Sequence, residues 1–272
     1  MNSFSALTHT GTRDENQDAV GWDVDHQIWF VSDGMGGHAR GQDASRLGKE
    51  TLLAEIATMD LAAAVLKAHE VVRDAAAQDG VEQGMGSTVV CAQLKAQVCR
   101  IVWVGDSRAY LWRRPSLRRL TRDHSFVEAL LQSEHLSETQ QRNHPNASVV
   151  LQTLGMGTPV PSEISTSVRR GDWILLCSDG VAVELRDNEI ASILETSNNP
   201  QQAAQQLIDE VLKRGARDNT SVIVIQCDGG PAGFFERLVG VNPAAVGWIA
   251  ALAGMVLAAV VAILAWHLRA GR

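Results

Sequence analysis

Few of the features that usually announce a chemistry are present in this sequence. Its 272 residues hold four cysteines, Cys91, Cys99, Cys177 and Cys227, and no CxxC spacing. That spacing gives no zinc site, and cysteines scattered through apolar runs read as small core hydrophobes in a reducing compartment rather than a disulfide framework. A basic surplus is lacking too. The formal net charge is -7, whereas a nucleic-acid binder needs a positive face to neutralise phosphates. The opening stretch "MNSFSALTHTGTRDENQD" contains no apolar segment of the kind a secretory signal requires. There is no internal repeat and no low-complexity tract.

One absence is local. Residues 238–266 carry no charge, and "AAVGWIAALAGMVLAAVVAILAWHL" is almost wholly apolar. About 20 such residues span a bilayer core. Trp248 and Trp266 lie near its ends, where interfacial indoles belong. A core helix is rarely apolar on all faces over this length. The expected division is a folded domain at 1–228, a linker and juxtamembrane segment at 229–243, a transmembrane helix at 244–268 and a short tail at 269–272.

What is present is a set of short strand-like runs at 27–32, 88–94, 98–104, 109–113, 173–177 and 221–226, rich in Val, Ile and Trp. Helices are expected at about 43–59, at 60–78 with Asp60 as N-cap, after Asp187 as N-cap, and at 200–215, where Asn199 caps, Pro200 opens and Gly215 closes. Strands in runs with helices grouped between them predict an α+β fold.

The stretch "FVSDGMGGHARGQDAS" raises the chemical question. Asp and Gly are poor strand formers, so their arrival after an apolar run is expected to end the strand at Asp33. Asp106 follows "IVWVG", Asp179 follows "WILLCS", and Asp218 precedes "NTSVIVI". Each alone reads as an ordinary turn residue. Together they fit one geometry, because in an antiparallel sheet one strand's end lies beside its neighbour's start. Four carboxylates on one edge repel unless cations sit between them. An all-oxygen set selects Mg²⁺ or Mn²⁺ over Zn²⁺, and bridging carboxylates suit a two-metal hydrolase site. Gly34, without a side chain, leaves its carbonyl able to turn to a metal. Arg13 in "RDENQD" offers a bidentate fork for a phosphate.

In order, "RDENQD", "SDGMGGHARGQDAS", "MGSTVV", "VGDSRAYLWR", "LTRDHSFVEALL", "HPNASVVLQTLG", "GDWILLCSDGV" and "ARDNTSVIVI" resemble the metal-dependent serine/threonine protein phosphatase family of the 2C type, in its bacterial branch. The resemblance covers roughly residues 5 to 227. It implies two antiparallel β-sheets packed as a central sandwich with helices on both faces, to which the apolar C-terminal helix is appended. It implies that Asp33 bridges two Mn²⁺ or Mg²⁺ ions, that the Gly34 carbonyl binds one, and that Asp179 and Asp218 bind the other. Asp18, with Gln17 beside it, would hold waters around the ions. Asp106 would serve a third, weaker metal site, Arg13 would bind the substrate phosphate, and residues 124–145 would form a flap. Many eukaryotic members carry a histidine after the DG, where this chain has Met35, and His38 follows the bacterial pattern. The general acid stays unassigned.

The activity so implied is hydrolysis of phosphoserine and phosphothreonine in proteins, reversing a partner serine/threonine kinase and its action on shared substrates. The expected location is the inner membrane, single-pass, with the catalytic domain in the cytoplasm. Arg269 and Arg272 outnumber Arg237, and positive-inside counting favours the opposite orientation. It is outweighed by the difficulty of exporting a folded domain without a signal. A catalytically dead membrane sensor and a metal-dependent nuclease are the rivals. The first is disfavoured by the complete Asp set, the second by the acidic charge.

Overall fold

The computed structural model describes residues 2–36, 40–78, 84–131, 140 and 144–228. Among the described residues, eleven strands form two antiparallel sheets. The first has the order β1 (Ser3–His9), β11 (Thr220–Gln226), β10 (Trp173–Cys177), β7 (Arg108–Arg113), β8 (Ser116–Arg119). The second has the order β2 (Asp18–Asp23), β3 (Ile28–Met35), β5 (Val89–Lys95), β6 (Val98–Val104), β9 (Ser162–Ser167), with the two-residue β4 (Gly86–Ser87) pairing β3. Helices α1 (Arg40–Glu55) and α2 (Leu61–Gln78) belong with the second sheet, and α4 (Asp179–Glu184), α5 (Asp187–Thr196) and α6 (Pro200–Lys213) with the first. The short α3 (Phe126–Leu130) opens the 124–145 region.

The layering follows from alternation along each strand. In β3, Trp29 and Val31 enter the core between the sheets, where they meet Ile174, Leu176, Ile223 and Ile225. Ile28 and Phe30 point the other way, onto Leu52, Val65 and Ala68 of α1 and α2. In the first sheet, Leu175, Val222 and Val224 face Leu194, Leu207 and Val211 of α5 and α6. With both faces covered, "WILLC" is buried at every position, which is why it reads as an unbroken apolar run. The expected helix–sandwich–helix architecture is present. The expected transmembrane helix lies outside the described residues, and among those described no helix is long and apolar enough to cross a membrane.

Three local expectations are corrected. Asp33 does not end its strand: β3 continues through Gly34 and Met35, because Ser87 and Gly86 of β4 pair with them. Asp179 is the first residue of α4 rather than a simple turn after β10. Asp187 is not the N-cap of α5. Arg186 takes that place, its N–H donating to Glu189 at 2.8 Å, while the Asp187 carboxylate accepts the Tyr110 hydroxyl at 3.1 Å. Asp60 and Asn199 cap as expected, accepting from Ala62 N–H at 3.0 Å and Gln202 N–H at 2.8 Å.

Candidate metal centre

The strand register places the acidic residues at one end of the sandwich. Asp18 and Asp33 are directly opposite each other on β2 and β3. Asp106 follows β6, Asp179 follows β10, and Asp218 precedes β11. Mutual charge effects join Asp18, Asp33, Asp106, Asp179 and Asp218 into one cluster.

Backbone contacts fix each position. The Asp33 carbonyl accepts Thr88 N–H at 2.8 Å and the Ser87 hydroxyl at 3.0 Å, and its own N–H donates to Thr88 Oγ1 at 3.1 Å. Thr88 Oγ1 lies 2.7 Å from Ser107 Oγ, tying "GSTVV" to "GDS". Gly34 is demanded by packing: a Cβ there would stand 1.9 Å from the Gly41 carbonyl oxygen and 2.7 Å from that of Gln17. Asn219 clamps the loop that carries Arg13 to the start of β11. Its side-chain amide donates to Thr10 and Glu15 carbonyls at 2.8 and 2.9 Å, and its oxygen accepts Gln17 N–H at 2.8 Å.

The electrostatics show a cluster short of positive charge. Burial, more than any neighbour, pushes Asp18 up to about 7, against the opposing hydrogen bonds of Ser221 and Ser178. Burial, then the Asp179 charge and that of Asp123, pushes Asp106 up to about 8. Asp33 is partly exposed as a residue, but its carboxyl lies among the other acids. It is held well above the usual range by burial and by the charges of Asp179, Asp18 and Asp106. Asp179 is raised by burial as well, and its carboxylate accepts a hydrogen bond from the Asp33 carboxyl. Two acids sharing a proton stand where a cation would relieve both.

Among the described residues no group of three Asp, Glu, His or Cys side chains forms a ready coordination shell. Asp179 is turned to Asp33, and Asp218 to Arg13, whose Nη2 donates to Asp218 Oδ2 at 2.8 Å while its Nε donates to the Arg217 carbonyl at 3.1 Å. The residues nonetheless fit hard divalent cations. Every donor is an oxygen, the burial of charge is uncompensated, and Asp18 Oδ1 is buried without a hydrogen-bond partner. Arg13 sits at the exposed rim, its side chain 57% accessible. Met35 is half-buried at the end of β3, and His38 lies outside the described residues.

Supporting residues that the sequence reading passed over are polar groups inside apolar runs. Ser178 donates to Asp18 Oδ2 at 2.8 Å and accepts Ser221 N–H at 2.9 Å. Arg108 makes two-nitrogen contact with Asp123 at 3.1 and 2.8 Å, and its charge pulls against the upward shifts of Asp106 and Asp179. The signal was a polar residue beside each aspartate, as in "SD", "DSR" and "DNTS". His124 is a strut: Nδ1 accepts Gly105 N–H at 3.2 Å and Nε2 lies 2.9 Å from the Ser162 hydroxyl. Burial pushes the Cys177 thiol up to about 12, so it is no nucleophile.

Residues 7–219 match the family model described as Protein phosphatase 2C. The serine/threonine phosphatase stp of Listeria monocytogenes is 33% identical over 215 residues, covering 74% of this chain and 84% of the relative. The serine/threonine protein phosphatase PstP of Mycobacterium tuberculosis is 30% identical over 81% of this chain and 44% of its own length. A crystal structure of the latter, PstP/Ppp, superposes with a TM-score of 0.76 at 29% identity, over 83% of this chain and 98% of that one. A structure of the PstP catalytic domain in complex with two manganese ions superposes with a TM-score of 0.73 at 27% identity, over 83% and 97%.

Proposed function

This chain belongs to the protein phosphatase 2C family, and from that premise we propose that its strand-edge aspartates hold the metals of a membrane-tethered phosphatase of bacterial type. The activity itself is serine/threonine protein phosphatase activity, dependent on Mn²⁺ or Mg²⁺. The observation that carries the residue assignment is the Asp33–Asp179 contact inside a cluster in which burial raises the carboxyls of Asp18, Asp33, Asp106 and Asp179.

In this reading Asp33, Asp179 and Asp218 would hold one cation, and Asp33 with the Gly34 carbonyl would hold a second. Asp106 would serve a weaker third. When bound, such ions supply Lewis-acid activation of water and charge for the phosphoryl oxygens. The chain's own residues do the rest. Asp18, oriented by Ser178, offers its free Oδ1 to a water at the site. Arg13 keeps its Nη1 for a phosphate oxygen while Nε stays on the Arg217 carbonyl, which aims the guanidinium at the rim. Asn219 fixes the backbone that presents both. No serine or cysteine nucleophile is needed.

The test is an assay of phosphopeptide, p-nitrophenyl phosphate and DNA side by side with Mn²⁺, using the full chain and Asp179→Asn. Hydrolysis of the first two and not DNA, lost in the variant, is expected. Cleavage of DNA, or turnover that survives the substitution, overturns the reading.

The tether is argued from the uncharged stretch at 238–266 alone. With it the domain faces the cytoplasm, where phosphoproteins and a partner kinase reside. In intact cells the full chain is expected in the membrane fraction with its domain shielded from external protease. Recovery in the soluble fraction, or digestion from outside, sinks the tether.

A further inference from the structure

On a chain of net charge -7, one run is anomalous: Arg108 to Arg122 holds six arginines and no acid. Most have carboxylate partners. Arg108 and Arg119 pair with Asp123, Arg122 with Glu128, Arg113 with Asp172 and Arg114 with Glu195. Among the described residues Arg118 has none and donates instead to the Thr166 hydroxyl at 2.7 Å. Close by, Arg169 and Arg170 are exposed on the β9–β10 turn, and Lys95 is exposed at the end of β5. No ion pair engages these three among the described residues. Hydrogen bonds gather the group: Val168 N–H to the Gln97 carbonyl at 2.9 Å, and Arg113 Nη2 to the Ser167 carbonyl at 3.1 Å.

The chain leaves the domain at this same turn. Gly171 N–H donates to the Cys227 carbonyl at 2.9 Å, and Cys227 N–H to the Asp172 carbonyl at 2.8 Å. The register sets this exit opposite the acidic edge. Trp173 pairs with Gln226 at the exit end, and Cys177 with Val222 at the other, next to Asp179. Five strand residues separate the two ends by roughly 16 Å.

We propose that the surface formed by Arg169 and Arg170, flanked by Lys95 and Arg118, lies against the anionic headgroups of the bilayer that holds the C-terminal segment. This rests on the tether reading above. Fifteen residues, 229–243, separate the exit from the apolar stretch in sequence, and a charged membrane surface acts over about one Debye length. The surface is one-sided, because Asp23 and Asp25 occupy the neighbouring β2–β3 turn and Asp228 the exit itself. Attraction therefore tips the domain with the β9–β10 turn down. The acidic edge then opens away from the lipid, toward soluble phosphoproteins.

The experiment uses the full chain in vesicles of phosphatidylcholine alone, or of phosphatidylcholine and phosphatidylglycerol at about 3:1. Flotation is scored first. Amide exchange is then followed over 95–98 and 167–172, with the 13–18 loop at the acidic edge as the internal control. Exchange over the two turns is expected to slow about fivefold on phosphatidylglycerol at low salt, as each surface cation contributes about that factor. The slowing should vanish at high salt and in the double variant Arg169→Glu/Arg170→Glu. Unchanged p-nitrophenyl phosphate hydrolysis shows that the variant is folded. If the chain floats but both turns exchange equally on the two vesicles, or if slowing survives in the variant, the headgroup contact is wrong and the tether stands. If the chain floats with neither vesicle, the tether fails and this proposal with it.

Discussion

Asp172 and Asp33 are carboxylates at opposite ends of the same sandwich. Asp172, at the turn end, accepts Arg113 Nε at 3.0 Å, Arg113 Nη2 at 2.6 Å and Arg169 N–H at 2.8 Å. The chain supplies its cation and its donors. Asp33, at the acidic edge, has another acid as its partner and a carboxyl raised by burial. A buried charge kept for structure is paired internally, because an unpaired one is costly. A cluster left short of positive charge keeps that cost in the folded protein until something from outside offsets it. The contrast separates holding residues from working residues without reference to motif.

The largest expected effect breaks the working side. Asp33→Asn or Asp179→Asn should lower kcat by at least about 10³-fold, the order of a lost metal-centred stabilisation. Both variants should keep the fold, and in EDTA should melt no lower than the parent, since a neutral amide replaces a carboxyl that is costly to ionise there. Near-parental turnover with Mn²⁺ in either variant would contradict the two-metal arrangement.

The same shortage predicts a pH dependence with a definite sign. Asp18 titrates at about 7 and Asp106 at about 8 in the metal-free fold, against 3.8 for an ordinary Asp. Between those limits the folded state binds more protons than the unfolded one, so stability falls as pH rises. Melting temperature in EDTA should therefore decline from about pH 5 to about pH 8, as the linkage requires. Mn²⁺ should flatten or reverse the decline, because the cation takes the protons' place. A flat profile in EDTA would show that the carboxyls are ionised without help.

Substituting the holding residue gives the mirror result. Asp172→Asn should cost about 2 kcal/mol of unfolding free energy, below the roughly 3–5 kcal/mol of a fully buried pair because Arg113 is 36% exposed. Urea melts measure it. Activity per folded molecule should not change, since the residue lies at the far end of β10. A loss of kcat there would undo the division between the two ends.

The legibility of the sequence follows the same logic of coverage. The six strand-like runs correspond to β3, β5, β6, β7, β10 and β11, which are the interior strands of the two sheets. Of the five unread strands, β1, β2, β8 and β9 are the four edges, and the two-residue β4 lies off the main path of its sheet. An edge strand is only partly covered, so its sequence stays mixed. "SEISTS" of β9 alternates half-buried and exposed positions, and "SLRR" of β8 does the same. The convergence of the aspartates was readable because their strands are interior. The role of Asp18 was reached only through the family resemblance, since its own strand is an edge. The continuation of β3 past Asp33 was not readable. It depends on β4, two residues of which Ser87 also exchanges backbone hydrogen bonds with Leu154 at 3.1 and 2.7 Å.

The smallest effect concerns two arginine–aspartate pairs of similar length and different purpose. Arg113–Asp172 closes at 2.6 Å with its carboxylate 5% exposed. Arg13–Asp218 closes at 2.8 Å with the carboxylate 42% exposed. An exposed pair is worth little to stability, so Arg13→Ala should leave the urea midpoint within error while Arg113→Ala lowers it. What Arg13→Ala removes is a ligand for phosphate that acts in ground and transition states alike, so KM for phosphopeptides should rise about tenfold with kcat nearly constant. Its departure also takes a competing cation away from Asp218. Mn²⁺ should therefore bind the variant at least as tightly as the parent, as titration calorimetry can show. A collapsed kcat at constant KM would instead make the guanidinium a transition-state group. Weakened Mn²⁺ binding would mean that it positions Asp218 for the metal, and the two pairs would then differ in exposure but not in kind.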